Sequence, residues 1–258
     1  MGFKLASIIP WGRSIQEYIG MFAIAPDERN LSILDCAGGP ASFNAQMTRQ
    51  GYNVISCDPI YQFSADEIEA RIQDTYQTVI DGVKANADNY VWHNIESPEQ
   101  MGKIRMEAMQ EFLQDFPRGL QQGRYVTDEL PRLSFSDRQF DLALCSHLLF
   151  TYSDHLSANF HVDSIKELCR VAKEVRIFPL LNLSGETSNL LAPVINELKK
   201  QGYTAEIKSV DYEFQKGGNK LLSSKSIGRL ETARQATQRG EPPHVAGSST
   251  QTKSACAD

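Results

Sequence analysis

The chain has 258 residues, of which 41% are hydrophobic and 22% charged, a composition typical of globular proteins. No apolar run approaches the roughly 18 residues that a membrane-spanning helix requires, so no membrane association is expected. The formal charge is −6, and residues 64–120, with eleven acidic and five basic side chains, account for all of it. Because a protein that binds a phosphate backbone needs a basic surface, we do not expect nucleic acid as a partner.

Residues 1–30 are predicted to form a helical segment ahead of the first strand, since Ile15, Tyr18, Ile19 and Phe22 repeat at helical spacing. The N-terminus lacks the basic and apolar regions of a secretory signal. The five cysteines of the chain show no CxxC spacing, which favours buried, reduced thiols over a disulfide or zinc role. We therefore expect a cytoplasmic protein.

Residues 31–61 have the pattern of a strand, a glycine turn, a helix and a second strand. The first strand ends at Asp35, Gly38 and Gly39 follow, and the second strand ends at Asp58. A right-handed βαβ unit leaves a crevice at the carboxyl ends of its strands. Glycines let the backbone approach a ligand closely, and an acidic residue about twenty positions later is placed to bind ribose hydroxyls. The stretch predicts a site for a nucleoside-containing cofactor.

The glycines do not have the GxGxxG spacing of dinucleotide-binding turns, and Pro40 removes an N–H that a phosphate would use. The run DCAGGPA instead resembles the first motif of the class I S-adenosylmethionine-dependent methyltransferases, roughly D-x-G-x-G-x-G, with alanine at two of the glycine positions, 37 and 41. The resemblance implies S-adenosyl-L-methionine as the cofactor, which contains adenosine but no phosphate. It also implies cofactor contacts from Asp35, Ala37, Gly38, Gly39, Asp58 and Pro59.

A second resemblance covers residues 127–147, TDELPRLSFSDRQFDLALCSH, which match a family pattern of the form D-A-x-x-L-P-F-x-D-x-x-F-D-x-V-x-C-x-H. It implies that either Asp128 or Glu129 approaches the adenine, and the alignment does not decide between them. It also implies that Ser146, a further predicted cofactor contact, and His147 lie at the end of the fourth strand, near the transferable methyl group.

The methyltransferase class has no universal catalytic residue, because methyl transfer depends mainly on holding two atoms in line. We consider His147 the first candidate for a general base, with Tyr152 and Tyr61 behind it. The alternative is that His147 only packs at the end of its strand. The spacing of the histidines at 147, 155 and 161 fits no usual ligand pattern, so no metal is expected.

Residues 64–120 are predicted to be a helical insertion after the second strand. The SADE run that begins at Ser64 is a capping box, and a second helix through Met101 is expected to stop at Pro117 and Gly119. Such an insertion forms a lid over the substrate, a homodimer contact or a simple elaboration of the fold, and all three interpretations stay open. In the segment before the first strand, the resemblance implies that Arg13, Ser14 or Tyr18 closes over the methionine end of the cofactor.

The remaining pattern completes an α/β, Rossmann-like class I methyltransferase fold over residues 31–227. We predict a mostly parallel, seven-stranded sheet with an antiparallel last strand, because residues 204–225 have the pattern of a hairpin with a Gly-Gly turn. Residues 228–258 contain no aromatic side chain and are rich in Ser, Thr and Gln, which predicts a disordered tail.

The sequence therefore predicts an S-adenosylmethionine-dependent methyltransferase that acts on a small or medium-sized acceptor. The first alternative is an NAD(P)-dependent oxidoreductase, which the missing GxGxxG spacing disfavours. The second is a cofactor-binding or scaffold protein that has the fold without turnover. The acceptor itself is not encoded in any motif.

Overall fold

A computed structural model describes residues 9–227 of the chain. Residues 1–8 and the predicted disordered tail, 228–258, lie outside this description. Within it, seven strands form one sheet. The strands are Ile33–Cys36 (β1), Val54–Cys57 (β2), Tyr125–Val126 (β3), Phe140–Ser146 (β4), Ala172–Phe178 (β5), Tyr203–Ser209 (β6) and Lys220–Ser226 (β7).

The strand order is β3-β2-β1-β4-β5-β7-β6. The first five strands in this order are parallel, whereas β7 runs antiparallel to both β5 and β6. The chain reverses direction across the sheet between β1 and β4, and such a reversal opens a crevice at the carboxyl ends of the strands. This sheet confirms the predicted class I methyltransferase fold.

Six helices accompany the sheet in the described part of the chain. They are Ile15–Phe22 (α1), Phe43–Arg49 (α2), Ala65–Ala85 (α3), Pro98–Gln121 (α4), Ala158–Val171 (α5) and Leu191–Lys200 (α6). One apolar cluster lies between the sheet and α5 and α6, around Ile165 and Leu198. A second lies on the opposite face, where Phe22 of α1 and Phe43 of α2 are fully buried. Both faces of β1 and β4 are therefore covered, as parallel strands require.

The capping box predicted at Ser64 begins α3, where its hydroxyl accepts the N–H of Glu67 and the Glu67 side chain bonds back to Ser64. An equivalent capping box, Ser14 with Glu17, begins α1. This helix ends at Ala23, which has a left-handed backbone, and all four residues of the predicted apolar pattern lie within it. Both caps fix the start of a helix that contributes side chains to the site described below.

The prediction that Pro117 and Gly119 stop the second insertion helix was wrong, because α4 continues to Gln121. Pro117 lies in the last turns of the helix, where it removes one hydrogen bond near the end of the ladder. Gly119 packs against the ring of Tyr125 on β3, and a Cβ at this position would lie 2.3 Å from that ring. Burial of α4 against β3 thus outweighs the local preference of both residues to end a helix.

Helices α3 and α4 form the insertion between β2 and β3, and they pack on each other through buried side chains such as Ile72 and Phe112. The aromatic ring of Tyr61, just after β2, joins the same cluster. The insertion is thus attached to the sheet edge beside the crevice.

None of the helices within residues 9–227 is long and apolar enough to cross a bilayer.

Candidate functional site

A cavity of about 990 Å³ lies at the carboxyl ends of β1, β2 and β4. The glycine turn after β1, the segment before α1 together with Tyr18 of that helix, both insertion helices and the loop after β4 all line it. Most of the residues predicted from the sequence meet in this one cavity, although they come from separate segments. They are Ala37, Gly38, Gly39, Asp58, Pro59, Asp128, Glu129, Ser146, His147 and Tyr152.

The turn after β1 has an unusual backbone. Ala37 and Gly39 both have positive φ angles, 58° and 53°. A Cβ on Gly38 would lie 2.3 Å from Oδ2 of Asp35, so only glycine fits between the turn and this carboxylate. Ala37 occupies a conformation that L-residues other than glycine adopt at a cost of roughly 1–2 kcal/mol. The turn is therefore tightly constrained at all three positions.

The N–H groups of this turn are already used within the protein. Ala37 and Gly38 both donate to the carbonyl of Cys57, at 2.8 and 3.4 Å. Gly39 donates to Oδ2 of Asp58 at 3.0 Å, and Pro40 has no N–H. A dinucleotide turn presents such N–H groups to the pyrophosphate. Because they are engaged here, the turn is suited to a ligand that lacks phosphate at this position.

Asp58 at the tip of β2 lines the cavity, as predicted. Its Oδ1 accepts the N–H of Ile60 at 2.8 Å, and its Oδ2 accepts that of Gly39. Burial raises the pKa of Asp58, while these two N–H groups act in the opposite direction. A carboxylate has about four acceptor positions, so two stay free for other donors. Asp58 can therefore accept two hydroxyl groups from a ligand in the cavity.

Asp35, which was predicted as a cofactor contact, does not line the cavity. It is buried beneath the turn, where it accepts the hydroxyl of Tyr18 at 3.0 Å and that of Ser56 at 2.9 Å. Burial raises the pKa of Asp35 to about 7. The sequence motif correctly predicted an acidic residue near the end of β1, but the carboxylate of Asp35 faces the protein interior and supports the turn.

Tyr61 is likewise placed in a structural position. Its hydroxyl donates to the carbonyl of Gly39 at 2.8 Å, and its ring packs among Phe112, Phe116 and Tyr125. Tyr152, in contrast, lines the cavity and is buried. Of the two tyrosines considered behind the histidine, only Tyr152 can meet a ligand directly.

Asp128 and Glu129 both line the cavity on the side of β3. Oδ2 of Asp128 accepts the N–H and the hydroxyl of Ser134, at 2.9 and 2.6 Å, so its orientation is fixed. Glu129 is more exposed. The two carboxylates add to that of Asp58, which makes this end of the cavity acidic.

His147 follows β4 directly and has a positive φ of 51°. Its backbone N–H donates to the carbonyl of Phe178, and its Nδ1 lies 2.9 Å from the hydroxyl of Ser146. Burial lowers the pKa of His147 well below its ordinary value, and the positive charges of Arg13 and Arg105 lower it further. The imidazole is therefore neutral at physiological pH and can accept a proton or a hydrogen bond.

Arg105 was not among the residues predicted from the sequence; it lines the cavity from α4 and is only 1% exposed. Its Nη2 lies 2.7 Å from Oε1 of Glu17 on α1. An arginine is ordinarily expected on the solvent face of a helix. Arg105, however, lies four positions after Met101 and three before Ala108, so helical spacing places it on the buried face of α4 and is the signal that could have identified it.

Of the three N-terminal residues expected near the methionine end of the cofactor, only Arg13 keeps free donors. Ser14 is engaged in the cap of α1, and the hydroxyl of Tyr18 donates to Asp35. Arg13 lines the cavity, and its Nη1 donates to the carbonyl of Trp11 at 3.1 Å. Arg13 is therefore the residue of this segment best placed to bind a carboxylate.

The sheet order, the antiparallel β7 and the crevice beside the glycine turn together define the class I methyltransferase fold. Among known proteins, the chain is 36% identical to uncharacterized protein MJ0045 of Methanocaldococcus jannaschii over 222 residues, which span 85% of this chain and 96% of the relative. The chain belongs to the same family as this archaeal protein. No protein-family model matches the chain.

Solved structures of methyltransferases are also similar to the chain. Magnesium protoporphyrin IX methyltransferase from Synechocystis, with bound S-adenosylmethionine, is 14% identical, with 82% of this chain and 78% of that chain covered and a TM-score of 0.43. A TehB-like methyltransferase from Corynebacterium glutamicum is 17% identical, with 82% and 87% covered and a TM-score of 0.43. Because these scores are low, the class of the fold rests on the chain's own sheet order.

Proposed function

We propose that the protein is an S-adenosylmethionine-dependent methyltransferase that acts on a small or medium-sized acceptor. One observation carries this proposal: the glycine turn has used its N–H groups internally, while Asp58 beside it lines the cavity and keeps two acceptor positions. This combination suits the ribose of an adenosine that bears no phosphate. It does not suit the pyrophosphate of a nicotinamide dinucleotide, which needs those N–H groups.

Different residues around the cavity bind different parts of the cofactor in this proposal. Asp58 accepts the two ribose hydroxyls, and Asp128 or Glu129 accepts the adenine amino group. Arg13 binds the methionine carboxylate through its buried guanidinium. Bound S-adenosylmethionine would supply a methyl group on a positively charged sulfur. An acceptor atom on the side opposite the sulfur would take the methyl group and displace the sulfur. The protein contributes mainly position, which can supply about 7–11 kcal/mol at best.

His147 and the insertion would act on the acceptor. The neutral imidazole of His147 lies at the end of β4, where it can take the proton of an acceptor hydroxyl or amine. Residues of α3 and α4, among them Val79 and Met101, line the cavity. We therefore propose that the insertion covers the acceptor and excludes water, the lid interpretation of the sequence.

Calorimetry with S-adenosylhomocysteine and NAD⁺ tests the proposal. We expect one S-adenosylhomocysteine bound per chain and no measurable binding of NAD⁺. Binding of NAD⁺ without S-adenosylhomocysteine would contradict the proposal and support an oxidoreductase. A screen with S-adenosylmethionine labelled in its methyl group then separates an enzyme from a non-catalytic scaffold, because only an enzyme transfers the label to an acceptor.

A further inference from the structure

Two arginines lie at the β4 end of the cavity with buried donors that the protein does not use. Nε and Nη1 of Arg105 and Nε of Arg13 have no hydrogen-bond partner within residues 9–227. An unsatisfied buried donor costs about 1–3 kcal/mol, and more when it is charged. Both side chains line the cavity, so a hydrogen-bond acceptor bound there is the candidate partner for these N–H groups.

The charges at this end do not balance. Glu17 is the carboxylate paired with Arg105, and its Oε1 also accepts the hydroxyl of Tyr212 at 3.0 Å. Its Oε2 accepts the N–H of Ser14 at 3.0 Å, so both oxygens are occupied. In the described part of the chain, Arg13 forms no ion pair with a carboxylate. Two guanidinium groups and one carboxylate leave one positive charge, which favours an anionic ligand.

Arg13 is charged at neutral pH. Burial, together with the neighbouring charge of Arg105, lowers the pKa of Arg13 to about 10, which still leaves it protonated. The two positive charges also contribute to the lowered pKa of His147, so all three side chains share one part of the cavity. Any group bound by the arginines therefore lies near the residue proposed to act on the acceptor.

Aromatic side chains surround the same position. The guanidinium of Arg105 lies 5.9 Å from the ring centre of Phe214, which is 4.9 Å from that of Tyr90. The ring of Phe178 lies 5.7 Å from that of His147. Phe214, Tyr90 and Phe178 all line the cavity. Such a lining favours a ligand with a flat, apolar body beside its charged group.

We infer that the methyl acceptor is an organic acid, with an apolar body and a carboxylate or phosphate bound by Arg105. This inference rests on the proposed function. Arg13 serves the methionine carboxylate of the cofactor, whereas Arg105, whose Nη2 is paired with Glu17, has two further N–H donors, Nε and Nη1, for an acid group. The aromatic side chains pack on the body of the acid and hold it beside His147.

Titration of the protein saturated with S-adenosylhomocysteine tests this assignment, with benzoate, phenyl phosphate and benzamide as probes. We expect at least one of the two anions to bind about ten-fold or more tightly than neutral benzamide, because each hydrogen bond to a charged group contributes substantially. Tighter binding of phenyl phosphate than of benzoate identifies the acid group as a phosphate, and the reverse identifies it as a carboxylate.

Arg105→Lys is the sharpest variant, because it keeps a positive charge opposite Glu17 but loses the Nε and Nη1 donors. We expect it to weaken binding of the preferred anion about ten-fold, with little change for S-adenosylhomocysteine. Lys103→Met, an exposed change on the same helix, is the matched control and should alter neither constant. If Arg105→Lys does not fold, Arg105→Met with Glu17→Gln removes the ion pair as a unit and should abolish the preference for anions.

The outcomes separate the two proposals. Failure of the wild type to bind S-adenosylhomocysteine contradicts the proposed function, whichever probe binds. Normal S-adenosylhomocysteine binding with equal affinity for the anions and benzamide overturns the acid acceptor alone. Anions that bind only the free protein and compete with S-adenosylhomocysteine also overturn it, since the arginines would then both serve the methionine carboxylate.

Discussion

The Asp58 carboxylate accepts the N–H of Gly39 at 3.0 Å, which joins the tip of β2 to the turn after β1. The same contact fixes the carboxylate beside the cavity and removes from the turn an N–H that a phosphate would need. The two residues are nineteen positions apart in the chain, and the contact links the two parts of the proposed adenosine site. A stability effect and a binding effect are therefore expected from changes around this turn.

Ala37→Gly should stabilise the protein. Ala37 has a φ of 58°, a conformation that costs alanine roughly 1–2 kcal/mol, while glycine adds about 0.4–1 kcal/mol of unfolded-state entropy. We expect a net gain of about 0.5–1 kcal/mol in the free energy of unfolding, measured with denaturant and without ligand. Ala70→Gly on the exposed face of α3 should instead lose about 1 kcal/mol. Equal losses for both variants would show that the turn is not strained.

Asp35→Asn should change how stability depends on pH. Burial raises the pKa of Asp35 from 3.8 to about 7, so the folded state binds more protons than the unfolded state between these values. The contribution of Asp35 is fully present below pH 3.8 and is lost as the pH rises through about 7. Relative to Asp35→Asn, the wild type should therefore lose up to about 4 kcal/mol of unfolding free energy from pH 4 to pH 8.

Asp141→Asn is the matched control for this titration. Lys173 and the N–H and hydroxyl of Ser32 lower the pKa of Asp141 to about 2. The stability that Asp141 contributes is present above pH 3.8 and is lost only as the pH falls toward 2. The difference between wild type and Asp141→Asn should thus stay constant from pH 4 to pH 8. If the difference in unfolding free energy between wild type and variant had the same pH dependence for Asp35→Asn as for Asp141→Asn, the burial of a protonated Asp35 would be contradicted.

Arg105→Met should destabilise the protein by roughly 3–5 kcal/mol, because it leaves the buried carboxylate of Glu17 without its ion pair. Adding Glu17→Gln removes that charge while keeping an acceptor for Tyr212, so the double variant should be more stable than Arg105→Met alone. Denaturant unfolding of the three proteins provides the comparison. A double variant that is less stable than Arg105→Met would show that Glu17 does not depend on Arg105.

The sequence predicted the sheet and most of the residues that line the cavity because those features depend on local patterns. The glycine turn, the acidic residue at the tip of β2 and the strand that ends at Ser146 are each encoded within a few residues. The hairpin predicted for residues 204–225 also follows from a local signal, its Gly-Gly turn, and β7 is antiparallel as expected. These parts need no knowledge of distant contacts.

The acceptor end of the site could not be predicted in the same way. Arg105 lies on the apolar face of α4, where a charged side chain is not expected, and there it pairs with Glu17 of α1. The Asp35 carboxylate lies where a Cβ on residue 38 would be, and the sequence does not show that this carboxylate turns inward toward Tyr18. Pro117 and Gly119 are helix breakers locally, yet packing on Tyr125 extends the helix. In each case a tertiary contact outweighed the local preference.

The most direct test of the adenosine site pairs Asp58→Ala with a ligand that lacks the ribose hydroxyls. Asp58 also holds the N–H groups of Gly39 and Ile60, so its loss alone would mix turn distortion with lost ligand contacts. Calorimetry should compare S-adenosylhomocysteine with its 2′,3′-dideoxy analogue on both proteins. We predict that Asp58→Ala weakens the binding of S-adenosylhomocysteine by roughly 1.5–3 kcal/mol more than it weakens the binding of the analogue. Equal losses for both ligands would contradict the placement of the ribose on Asp58.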